Sequence, residues 1–393
     1  MPGSIEFPYH TERAQLREAV RKLCAHFSLD YWEEHDREHR FPEEFFAAFA
    51  RAGYLGVLVP EEFGGGGGSM SDMAAVLEEV GAAGGALNAA SSVHIPILCI
   101  PTLLAFGTAQ QRSELLPKVA SGELFVTFGV TEPNAGTETT RITTAAQPVS
   151  GGYLVNGAKV WNTGALRGQM VMLLVRTSEP AGERRGDGLS LLLVDLDSEG
   201  VAIRPIPKIG RNAVASAELF LQNVFVPEDR VVGEVGKGFY HLLHSLNGER
   251  ILVSAEALGI GRWAVERAAQ YATERVVFDR QIGSNQSVQH PLAQAYLHLL
   301  AASEVLSRAL HVYETQGARA VGALANGLKY LASEAAFAAT DAAMQTHGGY
   351  AYAREYHIGR HWIESRLQRI APINNEMVLN YIAETALGLP RSY

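Results

Sequence analysis

Cysteine is nearly missing. The 393-residue chain holds two, Cys24 and Cys99, too few for a disulfide framework. Both read as ordinary buried thiols of a cytoplasmic protein. Basic charge is short as well: 33 Lys and Arg stand against 42 Asp and Glu, a net charge of −9. That balance argues against a nucleic-acid partner. No run of roughly 18 apolar residues suggests a membrane span. The N-terminal MPGSIEFPYHTERAQ lacks the charged and apolar regions of a signal peptide, so no membrane is expected. There is no CxxC. His35 and His39, amid EEHDREHR, read as a solvated helix face rather than a metal pair, and no metal is expected. No GxSxG elbow, Walker loop or GxGxxG following a strand occurs. The five glycines at 64–68 form a loop but do not join a strand to a helix, which makes a phosphate cradle a weak reading.

What is present is ordinary globular composition, 47% hydrophobic and 19% charged, in a chain long enough for two or three domains. Residues 10–120 are rich in Ala and Leu with helical periodicity. Residues 121–235 change character: GGYLVNGAKVWNTG, QMVMLLVRTS, GLSLLLVDLD and AELFLQNVFVP are strand-like runs separated by Gly, Asn, Asp and Pro. Residues 236–393 return to helix. The expectation is an α+β chain, with a helical domain over 1–122, a β domain over 123–235 and a helical domain over 236–393. The stretch Ala181–Gly188 reads as an exposed hairpin loop.

One side chain breaks its pattern. Phe239, Leu242, Leu246, Glu249, Val253, Ala257 and Ile260 are spaced three and four apart and share one helix face. A carboxylate on that face points into a core or a pocket, where burial raises its pKa and can poise it to accept a proton. Either Glu249 belongs to a buried structural ion pair, or the stripe is displaced by one position, or Glu249 does chemistry. In the β block, Phe128 to Thr137 (FGVTEPNAGT) joins a strand to a polar turn. Its hydroxyls and N–H groups suit an anion or a ring carbonyl. Trp161-Asn162-Thr163-Gly164 follows, with an indole that either covers a planar ring or packs as a large sheet residue.

Six segments in order settle the comparison: VPEEFGGGG (59–67), GVTEPNAGT (129–137), GYLVNGAKVWNTG (152–164), FVPEDRVVGEVGKGF (225–239), ERVVFDRQIGSNQ (274–286) and QTHGGYAY (345–352). Together they resemble the acyl-CoA dehydrogenase family of flavoenzymes over essentially the whole chain. The resemblance implies FAD, an N-terminal helical domain, a middle β-barrel or sandwich domain and a C-terminal four-helix bundle. It also implies a homotetramer, or at least a dimer, with FAD lying across a subunit interface. Carried over by position, Phe128, Val130, Thr131, Thr137, Trp161 and Thr163 contact the flavin half. Arg275, Phe278 and Gln286 reach FAD from a neighbouring subunit, and Gln345, Gly348 and Gly349 lie near its adenosine and pyrophosphate.

The resemblance also implies a carboxylate that takes the α-proton of a thioester while hydride leaves the β-carbon for the flavin. In most members it follows the QxxGG motif. Counted without gaps from Gln345, that position holds Pro372, which can neither accept a proton nor offer an N–H to the thioester oxygen. A minority, including the isovaleryl and long-chain enzymes, carry the base on a helix as LxxER, matched here by Leu246-Asn247-Gly248-Glu249-Arg250. Glu249 is therefore the expected base, with Arg250 assigned to substrate binding and Glu376 as the lesser candidate. Ile373 or Asn374 is left to donate to the thioester oxygen. Asn247-Gly248 either splits the helix or lies within it, Gly248 there giving ligand or flavin room. The Ala-rich residues 86–105 either line the acyl-tail pocket or pack tightly. The expected reaction is dehydrogenation of an acyl-CoA or acyl-carrier-protein thioester, with electrons passed to an electron-transfer flavoprotein. An oxygen-using oxidase or monooxygenase of the same fold and a non-catalytic thioester-binding flavoprotein are the alternatives.

Overall fold

The structure, a computed structural model, describes residues 7–180 and 184–392. Residues 181–183 of the expected hairpin loop lie outside the described residues. Among the described residues seven α-helices come first: α1 (Ala14–Cys24), α2 (Leu29–Glu38), α3 (Glu43–Arg51), α4 (Met70–Val80), α5 (Ala86–Ile97), α6 (Cys99–Phe106) and α7 (Ala109–Ser121). Local chemistry sets their starts. Ser28 caps α2, and reciprocal capping boxes, Ser69 with Asp72 and Thr108 with Gln111, open α4 and α7. The glycine run lies in the loop before Ser69. His35 is not solvated as expected: it is buried, with its ring 3.9 Å from that of Tyr31. Cys24 and Cys99 are free and buried, and burial pushes both thiols up to about 12.

One expectation is corrected here. Met70–Phe106 is long and apolar enough to cross a membrane by length and composition alone. The structure uses it as core: most of its apolar side chains are buried, and a wide turn at Gly81–Gly85, with Gly84 at φ 85°, breaks its course. Its two buried acids are neutralised from other elements. Arg17 Nη1 and Arg262 Nη2 reach Glu79 at 2.8 and 2.7 Å, and Arg17 Nη2 reaches Glu78 at 3.0 Å.

Among the described residues the middle of the chain forms one eight-stranded sheet. Its strands are β1 (Val126–Gly129), β2 (Ala145–Val149), β3 (Gly152–Thr163), β4 (Met170–Arg176), β5 (Leu189–Asp195), β6 (Val201–Pro205), β7 (Ser216–Pro227) and β8 (Val231–Val232). The order is β6-β7-β3-β2-β4-β5-β8, with β1 parallel to β4. β4 reads as a continuous apolar run because both its faces are covered. Val171, Leu173 and Val175 enter the β core, while Met170, Met172 and Leu174 face the helices.

The last region holds α8 (Gly238–Glu274), a two-stranded arm of β9 (Val276–Val277) and β10 (Arg280–Gln281), α9 (Gln286–Gln316), α10 (Gly322–His347), α11 (Ile358–Leu367) and α12 (Asn375–Thr385). Helices α8, α9 and α10 pack on one another, and α12 lies on α10. α8 runs unbroken through Asn247-Gly248, and Gly248 makes room for protein rather than ligand. A Cβ there would sit 3.0 Å from Met70 Cε and 3.3 Å from the Tyr313 hydroxyl. Further along, a Cβ on Gly259 would lie 2.1 Å from the Glu78 carbonyl oxygen. The two sites should answer differently to alanine. Gly248→Ala gains about 1 kcal/mol of helix propensity against a flexible thioether, so its denaturation midpoint should stay near wild type. Gly259→Ala meets backbone and should cost about 3 kcal/mol or more.

Candidate active site

α8 delivers Glu249. Of the seven stripe residues, Leu242, Ala257 and Ile260 are buried, while Phe239, Leu246, Glu249 and Val253 keep accessible surface. The stripe is fully enclosed at Leu242, Ala257 and Ile260 and only partly enclosed around the carboxylate, where Phe239 and Leu246 still pack against the core. Among the described residues Glu249 has no hydrogen-bond or ion-pair partner, which removes the structural ion pair as an account of it. Burial raises its carboxyl above the ordinary range. His94 and Arg250 pull it partly back, and Glu256 adds to the rise. Arg250 donates from Nη1 to Asn247 Oδ1 at 2.7 Å.

The loop alternative is poorer. Pro372 and Glu376 are both exposed, Glu376 in the first turn of α12. The backbone N–H groups of Ile373 and Asn374 have no partner among the described residues. Asn374 Nδ2 donates to Thr137 Oγ1 at 3.2 Å, tying this loop to the β turn.

β1 and β3 build a platform. The pairing of β3 with β7 shifts register between Lys159 and Asn162, and Trp161 sits in that bulge at φ 64°. The bulge turns the indole outward, 56% exposed. It is not the packed sheet residue of the bland alternative, and an aromatic face presented this way fits a planar ring. Beside it Thr163 is buried, with its hydroxyl 3.1 Å from that of Ser216. Phe128, Val130 and Thr131 are half-buried and Thr137 is exposed. The turn after β1 is held from within by Glu132, which accepts from Thr143 N at 2.7 Å, Thr144 N at 2.8 Å and Lys159 Nζ at 2.9 Å.

A second group of expected residues lies elsewhere. Arg275, Gly348 and Gly349 line a cavity of about 470 Å³ with Tyr271, Val277, Ile282, Thr346, His347 and Tyr350. No described residue of the β domain lines it. An added Cβ on either glycine would meet nothing within 4 Å, so backbone there is open to close approach. A guanidinium beside aromatic rings and open backbone fits a dinucleotide's pyrophosphate end. Phe278 tips the β9–β10 arm at 94% exposure, and Gln286 and Gln345 are exposed.

Other site residues escaped the sequence reading. His94 of α5 is 4% exposed, and its Nδ1 lies 2.6 Å from Glu256 Oε1. Burial acts to lower its pKa, but Glu256 and Glu249 outweigh burial and hold the ring above its ordinary value. Arg211, between β6 and β7, donates from Nη2 to Thr163 Oγ1 at 3.0 Å. The Ala-rich helix packs tightly: Ala86, Ala89 and Ala90 are buried.

Family models match almost end to end: the N-terminal domain of acyl-CoA dehydrogenase over residues 10–123, the middle domain over 127–224 and the C-terminal domain over 236–387. The chain belongs to the acyl-CoA dehydrogenase family. It is 37% identical to acyl-CoA dehydrogenase fadE12 of Mycobacterium bovis over 97% of each chain. It is 30% identical to the long-chain specific acyl-CoA dehydrogenase of Sus scrofa mitochondria, covering 95% of this chain and 86% of that protein. Among solved structures, glutaryl-coenzyme A dehydrogenase in complex with glutaryl-CoA superposes with a TM-score of 0.90 at 27% identity, over 99% of this chain and 98% of that one. The three domains of this acyl-CoA dehydrogenase family member are thus an oxidoreductase fold, with its helical, sheet and helical parts in the expected order.

Proposed function

We propose that the protein dehydrogenates an acyl-CoA or acyl-carrier-protein thioester between its α and β carbons, with Glu249 as the base. The unpartnered Glu249 carboxylate, raised by burial on an unbroken helix while the loop position holds Pro372, carries this reading. Bound FAD supplies the hydride acceptor. This chain's residues do the rest. Glu249 would take the α-proton, Trp161 would back the cofactor ring with Thr163 at its edge, and the free N–H of Ile373 or Asn374 would donate to the thioester oxygen as negative charge develops there.

Two further parts belong to the proposal. The residues for one cofactor fall into two groups, and the exposed Phe278 arm beside the Arg275 cavity suits contact with a second subunit. This supports a homotetramer or dimer with shared sites. Electrons leave to an electron-transfer flavoprotein. A cytoplasmic location suits two free buried thiols.

The test is anaerobic addition of straight, branched, aromatic and dicarboxylic CoA thioesters to the yellow holoprotein. At least one class should bleach the flavin within the turnover range of typical enzymes, on the order of 1–10³ s⁻¹. The electron-transfer flavoprotein, rather than O₂, should then restore the colour. Fast reoxidation by O₂ alone would assign an oxidase. Thioester binding without bleaching across the panel would assign a non-catalytic binding protein.

A further inference from the structure

Arg211 is a cation without an acid. Its Nη2 donates to Thr163 Oγ1 at 3.0 Å and to Ser216 Oγ at 3.3 Å, and its Nη1 to Ser91 Oγ at 3.4 Å. All three partners are neutral hydroxyls. No described carboxylate pairs with the guanidinium, and its Nε is enclosed with no partner among the described residues. Guanidinium groups withdrawn from water ordinarily face a carboxylate or a phosphate. Burial holds this one below its ordinary pKa, with Glu364 and Glu256 acting against that from a distance.

The backbone shows that the placement is built. Arg211 sits at φ 55°, in the left-handed region that a residue with a Cβ rarely occupies. Its own N–H donates to Glu364 Oε1 at 3.2 Å, the next N–H to Asp36 Oδ1 at 2.6 Å, and that of Ala213 to Asn88 Oδ1 at 2.9 Å. Lys208 Nζ donates to the Arg211 carbonyl at 2.8 Å. Four separate bonds hold a strained turn so that one guanidinium reaches the hydroxyl of Thr163.

That contact fixes a direction. Ser216 Oγ already accepts from Arg211 Nη2 and Lys208 Nζ, each at 3.3 Å, so its own O–H donates to Thr163 Oγ1 at 3.1 Å. Thr163 Oγ1 thus accepts from Ser216 and Arg211, its O–H proton points outward, and a cation behind an oxygen polarises the O–H it carries. When a hydride reaches a neutral ring, the ring gains two electrons and one proton, which is one net negative charge. We propose that Arg211 is the counter-charge for that event, acting through Thr163 to make the bound flavin a stronger electron acceptor. This rests on the dehydrogenase reading for the position of the ring at Thr163. Arg211 is a positioning residue, since it touches Thr163 rather than the cofactor.

The experiment is the midpoint potential of the purified holoprotein, measured by dye-equilibrated reduction with no thioester present. Arg211→Met should lower it by the equivalent of about tenfold to hundredfold in the oxidised-to-reduced ratio, roughly 30–60 mV for a two-electron couple. Arg211→Lys, which keeps the charge, should retain most of the wild-type value. In a Thr163→Val background the Arg211→Met shift should shrink, because the relay is gone. Should Arg211→Met lose its FAD, Arg211→Gln against Arg211→Lys makes the same comparison. A neutral variant with the wild-type potential overturns the proposal, and so does an equal fall in the lysine and neutral variants. Since no thioester is used, the potential can shift as expected even where every thioester fails to bleach the protein, a result that would sink the dehydrogenase reading alone.

Discussion

Replacing Glu249 by glutamine should leave a yellow, folded protein whose flavin is no longer bleached by thioester. The amide keeps the shape and cannot take the α-proton, so flavin reduction should slow by about 10²–10⁴-fold. FAD content should not change, because Glu249 belongs to neither group of cofactor residues. Near-normal bleaching in the variant would remove Glu249 from the chemistry. Glu376→Gln is the control. That carboxylate is exposed at the start of α12, and its loss should change the rate only severalfold. The pH profile carries a sign as well. Glu249 works ionised, and burial raises its pKa, so kcat/KM should fall as pH drops through a value above the usual carboxyl range. The folded state therefore holds this proton more tightly than the unfolded chain. Stability linked to it is full at low pH and lost as pH rises through the raised pKa. A permanently neutral Glu249→Gln should consequently melt higher at neutral pH, by roughly 0.5–2 kcal/mol of added stability.

The second large effect is expected at Lys159. Its ammonium is fully buried and bound to Glu132 at 2.9 Å and to the Val130 carbonyl at 3.1 Å. Lys159→Met leaves Glu132 charged and enclosed, which should cost about 3–5 kcal/mol. The loss falls on the turn carrying Thr131 and Thr137, so the variant should also shed FAD on gel filtration. Making the partner neutral too, as Glu132→Gln with Lys159→Met, should recover much of the stability. A single variant as stable as wild type would show that the pair does not hold the turn. Burial acts to raise the Glu132 carboxyl, but Lys159 and its hydrogen-bond donors hold it down at about 2. Its stabilising contribution is thus present at neutral pH and lost as pH falls through the acid range below about 4.

The parts of the site that lay within one element were legible. The α8 stripe shows in the three-and-four spacing around Glu249, and the order of helical, strand and helical zones shows in composition. Gly248 was ambiguous because its tolerance depends on Met70 and Tyr313, which reach it only in the fold. Likewise the apolar stretch from Met70 onward hid two acids whose partners, Arg17 and Arg262, come from other helices. The pairs that tune the site are joined only in three dimensions. His94 and Glu256 are separated by 162 positions, and Arg211 and Thr163 by 48. Lys159, a charge within the strand-like run GYLVNGAKVWNTG, was the one available signal for a buried pair. His35 misled because a run of charges on a helix says nothing of the single face that turns inward.

α8 carries Glu249 in its second quarter and ends against Arg275. Some 26 helical steps separate them, roughly 39 Å at 1.5 Å per residue, beyond the reach of one extended dinucleotide. In the proposed assembly the two ends of this helix therefore serve different catalytic centres. A chain defective at Glu249 spoils its own centre and still completes its neighbour's, while a chain defective at Arg275 does the reverse. Mixed together, two such inactive chains would regain whole centres wherever the sound ends meet. The unit of inheritance for this activity would then be the pair of chains and not the single one.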